Sequence, residues 1–338
     1  QDAPVNYGIH VNDSTVGASS NRHNPAFLLK RLGADERQGE VIGCNLLYSG
    51  NHYSAVERTH QDTIRISWGI NPHCFSWKLG AGERFVAPQA VMTFSQRGIN
   101  GMAANFHNFV NSHVIPKNFR YVQRPVVLNN WEATFFDFNR RKILSMAKKA
   151  AGLGVEMFVL DDGWFGDRNS DRSGLGDWQV NEEKLGGTLA EFVNKINALG
   201  IKFGIWYEPE MISRDSNLYR AHPDWCLHVP NREKSIARFQ YVLDYSRQDV
   251  RDYVFGEMKK VLSTCKIDYL KWDFNRNLSE VGSAILPPEQ QKEVFHRFVL
   301  GTYDVMDRLT KEFPHMLLEN CSGGGGRFDP GTLYSSPQ

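Results

Sequence analysis

Tyr269-Leu270-Lys271-Trp272-Asp273-Phe274-Asn275-Arg276-Asn277 is an apolar run that ends abruptly in charged and amide side chains. Such a run reads as a buried strand emerging at a working face. In barrels of alternating strands and helices, chemistry gathers at the C-terminal ends of the strands. Lys271 and Asp273 are two apart, so a strand points both side chains the same way. An ammonium beside a carboxylate keeps it ionised at neutral pH, as a nucleophile requires. On these residues alone, Asp273 fits a nucleophile and a structural ion-pair partner equally well.

The same pattern recurs on either side. Val126 to Trp131 is an apolar run closing in polar residues, and Val155 to Leu160 ends in Asp161-Asp162-Gly163-Trp164. Ile201 to Trp206 ends in Tyr207-Glu208-Pro209-Glu210, and Tyr241 to Asp244 is a shorter run of the same kind. Met316 to Glu319 ends in Asn320-Cys321-Ser322 and four glycines. Between these runs lie residues at helical spacing, such as Ile143, Met146, Ala147 and Ala150, or Leu189, Phe192, Val193 and Ile196. Gly152-Leu153-Gly154 and Gly200 supply the helix stops. Strands alternating with helices mean parallel β/α units, in a barrel or an open doubly wound sheet. Candidate functional residues on nearly every strand favour the barrel, because an open sheet concentrates them at one switch point. Residues 116–338 are therefore expected to form an α/β domain, an incomplete (β/α)8 barrel with about six strands present.

Residues 1–115 read as β. Ile64, Ile66, Trp68 and Ile70 alternate with Arg65, Ser67 and Gly69, the period of a half-buried strand. Val41 to Tyr48 and His52 to Glu57 flank Ser49-Gly50-Asn51 as a hairpin. A second turn at Gly80-Ala81-Gly82 separates Phe75 to Leu79 from Arg84 to Phe94. Asn105 to Val110 reads as helix and leads to a boundary at Pro116 and Pro125. The region is expected to be the C-terminal part of an N-terminal β-sandwich domain, serving packing or assembly rather than catalysis.

Composition narrows the classes. Lys+Arg is 39 against Asp+Glu 38, a net charge of +1, so no field draws the chain to nucleic acid or a membrane surface. No apolar run reaches the length of a membrane span. The five cysteines are odd in number and lack zinc spacing, which points to reduced thiols and a cytoplasmic location. Asp167-Arg168-Asn169-Ser170-Asp171 begins like a calcium loop, but Arg172 stands where Gly is needed and Trp178 where the bidentate Glu should be. The glycines after Cys321 lack the GK[ST] of a phosphate loop, and instead let backbone and Cys321 approach a ligand. No metal or cofactor is expected. Glu208 and Glu210 read as acids or as loop buttresses, and Arg238 as a partner for hydroxyls or for a carboxylate. The start lacks a Met and the end lacks a closing element, so both ends read as cut.

Taken in order, Asp161-Asp162-Gly163-Trp164, Trp206-Tyr207-Glu208-Pro209-Glu210, Lys271-Trp272-Asp273-Phe274-Asn275-Arg276 and Cys321-Ser322-Gly323-Gly324-Gly325-Gly326-Arg327-Phe328-Asp329 resemble the bacterial type of α-galactosidase, glycoside hydrolase family 36. Tyr48-Ser49-Gly50-Asn51 is a weaker part of the likeness, which covers essentially the whole chain. The resemblance implies a barrel between a large β-sandwich and a small C-terminal domain, and retaining hydrolysis of terminal α-D-galactosides such as melibiose and raffinose. Asp273 matches the family nucleophile. Asp161, Asp162, Trp206, Arg238, Lys271 and Cys321 match the galactose pocket, with Trp131 and Asn275 as further members. The implied partners are a small galactoside and, in the full-length form, further copies of the same chain. The family acid/base Asp falls beyond Gln338, so this stretch alone is expected to be inactive or impaired. Other readings are a raffinose-type galactosyltransferase, an inactive galactose-binding fragment, and a Schiff-base lyase using Lys271.

Overall fold

The computed structural model describes residues 2–338. Strands β1 (Gly8–Asp13), β2 (Ala26–Lys30), β3 (Val41–Leu47), β4 (His52–Arg58), β5 (Ile64–Ile70) and β6 (Gln89–Ser95) sort into two antiparallel sheets of three. Their orders are β1-β4-β5 and β2-β3-β6. Phe27 on one meets Trp68 on the other edge to face at 6.1 Å. The helix Gly98–Phe109 lays Ile99, Met102 and Phe106 against Ala34 and Val41. Gly43 makes room for it, since a Cβ there would lie 2.5 Å from Met102 and Phe106.

One expected hairpin and one expected strand are absent. β3 and β4 lie in different sheets, because the Tyr48–Asn51 connection is hydrogen-bonded to the barrel rather than across a turn. The Ser49 amide donates to Tyr303 (2.9 Å), its hydroxyl donates to Asp329 (2.7 Å), and Tyr48 pairs with His296 (2.9 Å). Phe75 to Leu79 forms no strand either. The Lys78 amide donates to Glu293 (2.7 Å), and the Trp77 ring packs edge-on to His296. β6 pairs with β3 instead.

The second half carries β7 (Val127–Asn129), β8 (Met157–Leu160), β9 (Lys202–Tyr207), β10 (Met211–Ser213), β11 (Gln240–Val242), β12 (Tyr269–Trp272) and β13 (Leu317–Asn320). Five of these make one parallel sheet, ordered β13-β12-β9-β8-β7, which is a half-barrel. The run Tyr241–Asp244, expected as a barrel strand, is not one. β11 pairs antiparallel with β10, and β12 sits directly on β9 with Tyr269 opposite Gly204. The parallel sheet thus has five strands rather than six, since a short buried run looks the same in a loop as in a sheet.

Helices Arg140–Gly152, Leu189–Asn197, Gln248–Leu262 and Val294–Glu312 cover the outside. Asn139 caps the first by accepting from the Lys142 amide, and Thr188 with Glu191 closes a capping box on the second. Their apolar faces meet Phe158, Leu160, Phe203, Ile205, Leu270 and Trp272. The alternate residues Met157, Val159, Tyr269 and Leu317 form a small separate cluster on the inner face. A Cβ on Gly204 would touch Tyr269 and Val159, so Gly204 belongs to that face too. Extending each inner series by two residues reaches Asp161, Trp206 and Lys271, with Asp273 next. Among the described residues, no helix is long and apolar enough to cross a membrane.

Asp329 ties the two halves together. It is buried, accepts hydroxyl hydrogen bonds from Ser19 (2.6 Å) and Ser49 (2.7 Å), and caps the turn at Gly331 (2.8 Å) and Thr332 (3.2 Å). Removing it strands buried donors on both sides of the interface. Asp329→Ala is expected to lower stability by about 3 kcal/mol and Ser19→Ala by about 1 kcal/mol, read as the shift of the urea-unfolding midpoint.

Candidate active site

Asp273 lies one residue past β12, and its amide donates to the Tyr207 carbonyl at 2.8 Å. That bond continues the β9–β12 ladder into the loop. Each oxygen of its carboxylate accepts two hydrogen bonds. Oδ1 takes the amides of Phe274 (2.9 Å) and Gly323 (2.9 Å). Oδ2 takes Asn275 Nδ2 (2.7 Å) and Trp206 Nε1 (3.2 Å). Burial by itself would raise the pKa of this 6% exposed group. The Gly323 amide, the Lys271 charge, Asn275 and Trp206 outweigh that and hold the carboxyl below its ordinary range. Asp273 is therefore anionic and fixed in rotation.

Lys271, two residues earlier on the same face, makes an ion pair with Asp161 at 2.8 Å. Asp161 also accepts from Asn129 Nδ2 and from the Asp162 amide (2.9 Å). Burial pulls the lysine pKa down, but Asp161 more than compensates and holds it above the ordinary lysine range. The pair presents an acceptor and a donor side by side, which is what a hydroxyl needs.

The other expected residues are placed unequally. Asp162 points away from that pair. Both its oxygens are engaged by the Arg168 guanidinium, at 2.9 and 2.8 Å. Trp206 is buried at 2% exposure, stacked near Phe165, and hydrogen-bonded to Asp273 rather than presented as an open platform. Trp131 is half-exposed beside Phe135 and Phe136. Asn275 lies between two carboxylates, with its amide on Glu208 (2.6 Å) and its side chain on Asp273. Cys321 is half-buried, its amide bonds the Trp272 carbonyl (2.9 Å), and burial pushes its thiol up to about 12. Arg238 is exposed on a two-residue turn.

Glu208 and Glu210, ambiguous in sequence, separate here. Glu210 takes the Arg327 guanidinium on both oxygens (2.9 and 2.7 Å), plus Trp272 Nε1 (2.7 Å) and the Thr302 hydroxyl (2.9 Å). It is a buttress. Glu208 accepts from Asn275 and from Gln240 Nε2 (2.7 Å), and burial reinforced by the Asp273 charge raises it to about 7. Four contributors escaped the sequence reading: Asn129, Arg168, Gln240 and the Gly323 amide. Asn129 is the last residue of β7 and Asp161 the first after β8, so strand-end position was the available signal. The glycine run does bring backbone close, but to the Asp273 carboxylate, through Gly323 at φ +62°. Among the described residues, no group of three His, Cys, Asp or Glu side chains is arranged to hold a metal ion.

Comparison with known proteins adds a second line of observation. Residues 84–338 match the Melibiase family model, and residues 1–80 match the glycosyl hydrolase family 36 N-terminal domain. Alpha-galactosidase AgaA of Geobacillus stearothermophilus is 52% identical over 99% of this chain and 46% of its own length. Alpha-galactosidase 1 of Pediococcus pentosaceus is 48% identical over 99% of the chain and 46% of its own length. The chain thus spans about half the length of these relatives. The crystal structure of the Geobacillus protein superposes with a TM-score of 0.97 at 52% identity, over 99% of this chain and 47% of that one. A variant of it in complex with raffinose also superposes at 0.97, with 51% identity and the same coverage.

Asn275→Ala removes a donor that favours only the ionised form of Asp273. The carboxyl pKa is expected to rise toward the ordinary carboxylate range, followed as the carboxyl carbon chemical shift through an acid titration.

Proposed function

The chain belongs to glycosyl hydrolase family 36, and on that footing we propose that its protein removes terminal α-D-galactosyl groups from small galactosides of the melibiose and raffinose type, with retention at the anomeric carbon. The observation that carries this reading is Asp273, an ionised carboxylate held by four donors at the C-terminal end of a barrel strand. An Asp273 oxygen attacks the anomeric carbon as the exocyclic C–O bond breaks, and a carboxylic acid protonates the departing oxygen. The resulting galactosyl ester is opened by a water that the same second carboxyl, now basic, deprotonates. Galactose leaves, Asp273 is free again, and the second carboxyl has recovered its proton.

We place that second carboxyl outside residues 1–338. The carboxyls around Asp273 are already committed: Asp161 to Lys271, Asp162 to Arg168, Glu210 to Arg327, Glu319 to the Tyr269 hydroxyl (2.6 Å), and Glu208 to Asn275 and Gln240. Galactose recognition is assigned to the Lys271–Asp161 pair, with Cys321 and Arg238 further around the mouth. A site built to bond a particular hydroxyl rejects a sugar lacking it there, because its own groups would stay unpaired. The ion pair also argues against Schiff-base chemistry at Lys271. That route needs a lysine with a depressed pKa, and Asp161 raises this one.

In the full-length protein, a fluorinated galactosyl reagent is expected to trap an ester on Asp273, located by peptide mass spectrometry. Asp273→Asn should lower kcat/KM by about 10⁴-fold or more. A label on another residue overturns the assignment. With sucrose added as acceptor, release of galactose supports hydrolysis, and a trisaccharide product supports the transferase.

A further inference from the structure

Glu208 is a buried carboxyl to which the displacement above gives no part. Its position is specific nonetheless. One oxygen accepts both the Asn275 amide (2.6 Å) and Gln240 Nε2 (2.7 Å). Asn275 is two residues past Asp273 and donates its side chain to that carboxylate. Gln240 closes the hairpin that carries Arg238: Gln240 and Ala237 exchange backbone hydrogen bonds at 3.1 and 3.3 Å. The two residues between them, Arg238 and Phe239, have φ of +50° and +60°. A turn with positive φ at both central positions suits Asn-Gly. With an arginine and a phenylalanine it persists only where its surroundings hold it.

Besides the Arg172 guanidinium, 4.5 Å over the Phe239 ring, two hydrogen-bonding groups supply that hold. Arg276, also on the Asp273 loop, donates to the Gln240 carbonyl (2.7 Å) and the Ser235 carbonyl (2.9 Å). Glu208, two residues beyond Trp206, takes the Gln240 side chain. Three segments therefore meet at one oxygen: the end of β9, the Asp273 loop and the Arg238 hairpin.

We propose that Glu208 is a positioning residue, which sets Asp273 in register with the Arg238 hairpin by accepting from Asn275 and Gln240 at a single oxygen. This rests on Asp273 being the nucleophile. Its function is hydrogen-bond acceptance, so a neutral amide in the same place can perform it. Because its carboxyl is raised to about 7, Glu208 also has the pKa of a general acid. The experiment must separate the two roles.

Glu208→Ala and Glu208→Gln are made in the full-length protein and assayed on raffinose and on 2,4-dinitrophenyl α-galactoside, whose leaving group needs no proton. Glu208→Ala is expected to reduce kcat/KM on both substrates by a similar factor, about 10- to 100-fold for a nucleophile held loosely. Glu208→Gln should recover most of that loss on both. The proposal is overturned if Glu208→Ala leaves both rates unchanged, or if it lowers only the raffinose rate, as loss of a proton donor would. It is also overturned if Glu208→Gln falls as far as Glu208→Ala. Trapping in the unmutated protein is the separate control: if Asp273 takes no label, the nucleophile reading fails, whatever the Glu208 variants do.

Discussion

A carboxylate taken out of water must be paid for in hydrogen bonds or opposite charge, and Asp273 dictates much of the surrounding structure by that requirement. Its four donors come from the adjoining backbone, the loop after β13, the end of β9 and its own loop. Bringing them together needs β12 seated directly on β9 and beside β13, which is the strand order found. The neighbouring Lys271 is not among the four donors. It is paired with Asp161 instead, so its field reaches the nucleophile while its hydrogen bond is spent elsewhere.

Beside this lies a second buried set, centred on Glu210. Arg327, Trp272 and Thr302 converge on its carboxylate, and the Arg327 guanidinium also lies 4.3 Å from the Phe274 ring centre. Breaking one member of such a set leaves a charge buried without a partner, which is far costlier than losing a surface pair. The set ties the strand ends to the covering helix Val294–Glu312 through Thr302.

Much of this was legible in the chain because barrel chemistry sits where apolar runs stop. Asp161, Lys271 and Asp273 are singled out by that rule, and in the structure the Lys271 charge does reach the Asp273 carboxylate. What misled was local resemblance without partners. Ser49-Gly50-Asn51 has the composition of a tight turn, yet its hydrogen bonds go to Tyr303 and Asp329, more than 250 residues away. The run at Tyr241 is as apolar as a barrel strand, and only pairing shows that it belongs with β10. The adjacent Asp161 and Asp162 looked equivalent. One more step along the chain turns the second toward Arg168, and a single sequence does not reveal which guanidinium will meet it. The split between Glu208 and Glu210 was hidden for the same reason.

The run of four glycines has one further consequence. Gly323, Gly324 and Gly325 all occupy positive φ, and a segment so rich in glycine has many conformations to lose when it is ordered. Yet the Gly323 amide must be in place beside Asp273. The far end of the same loop is held by the sandwich: the Ser20 amide bonds the Gly326 carbonyl (2.9 Å), Asn24 bonds the Phe328 carbonyl (2.9 Å), and Ser19 and Ser49 hold Asp329. The loops between the N-terminal strands thus act as an entropic clamp. Their hydrogen bonds make the ordering of this loop a cost of folding, which leaves less of it to fall on ligand binding.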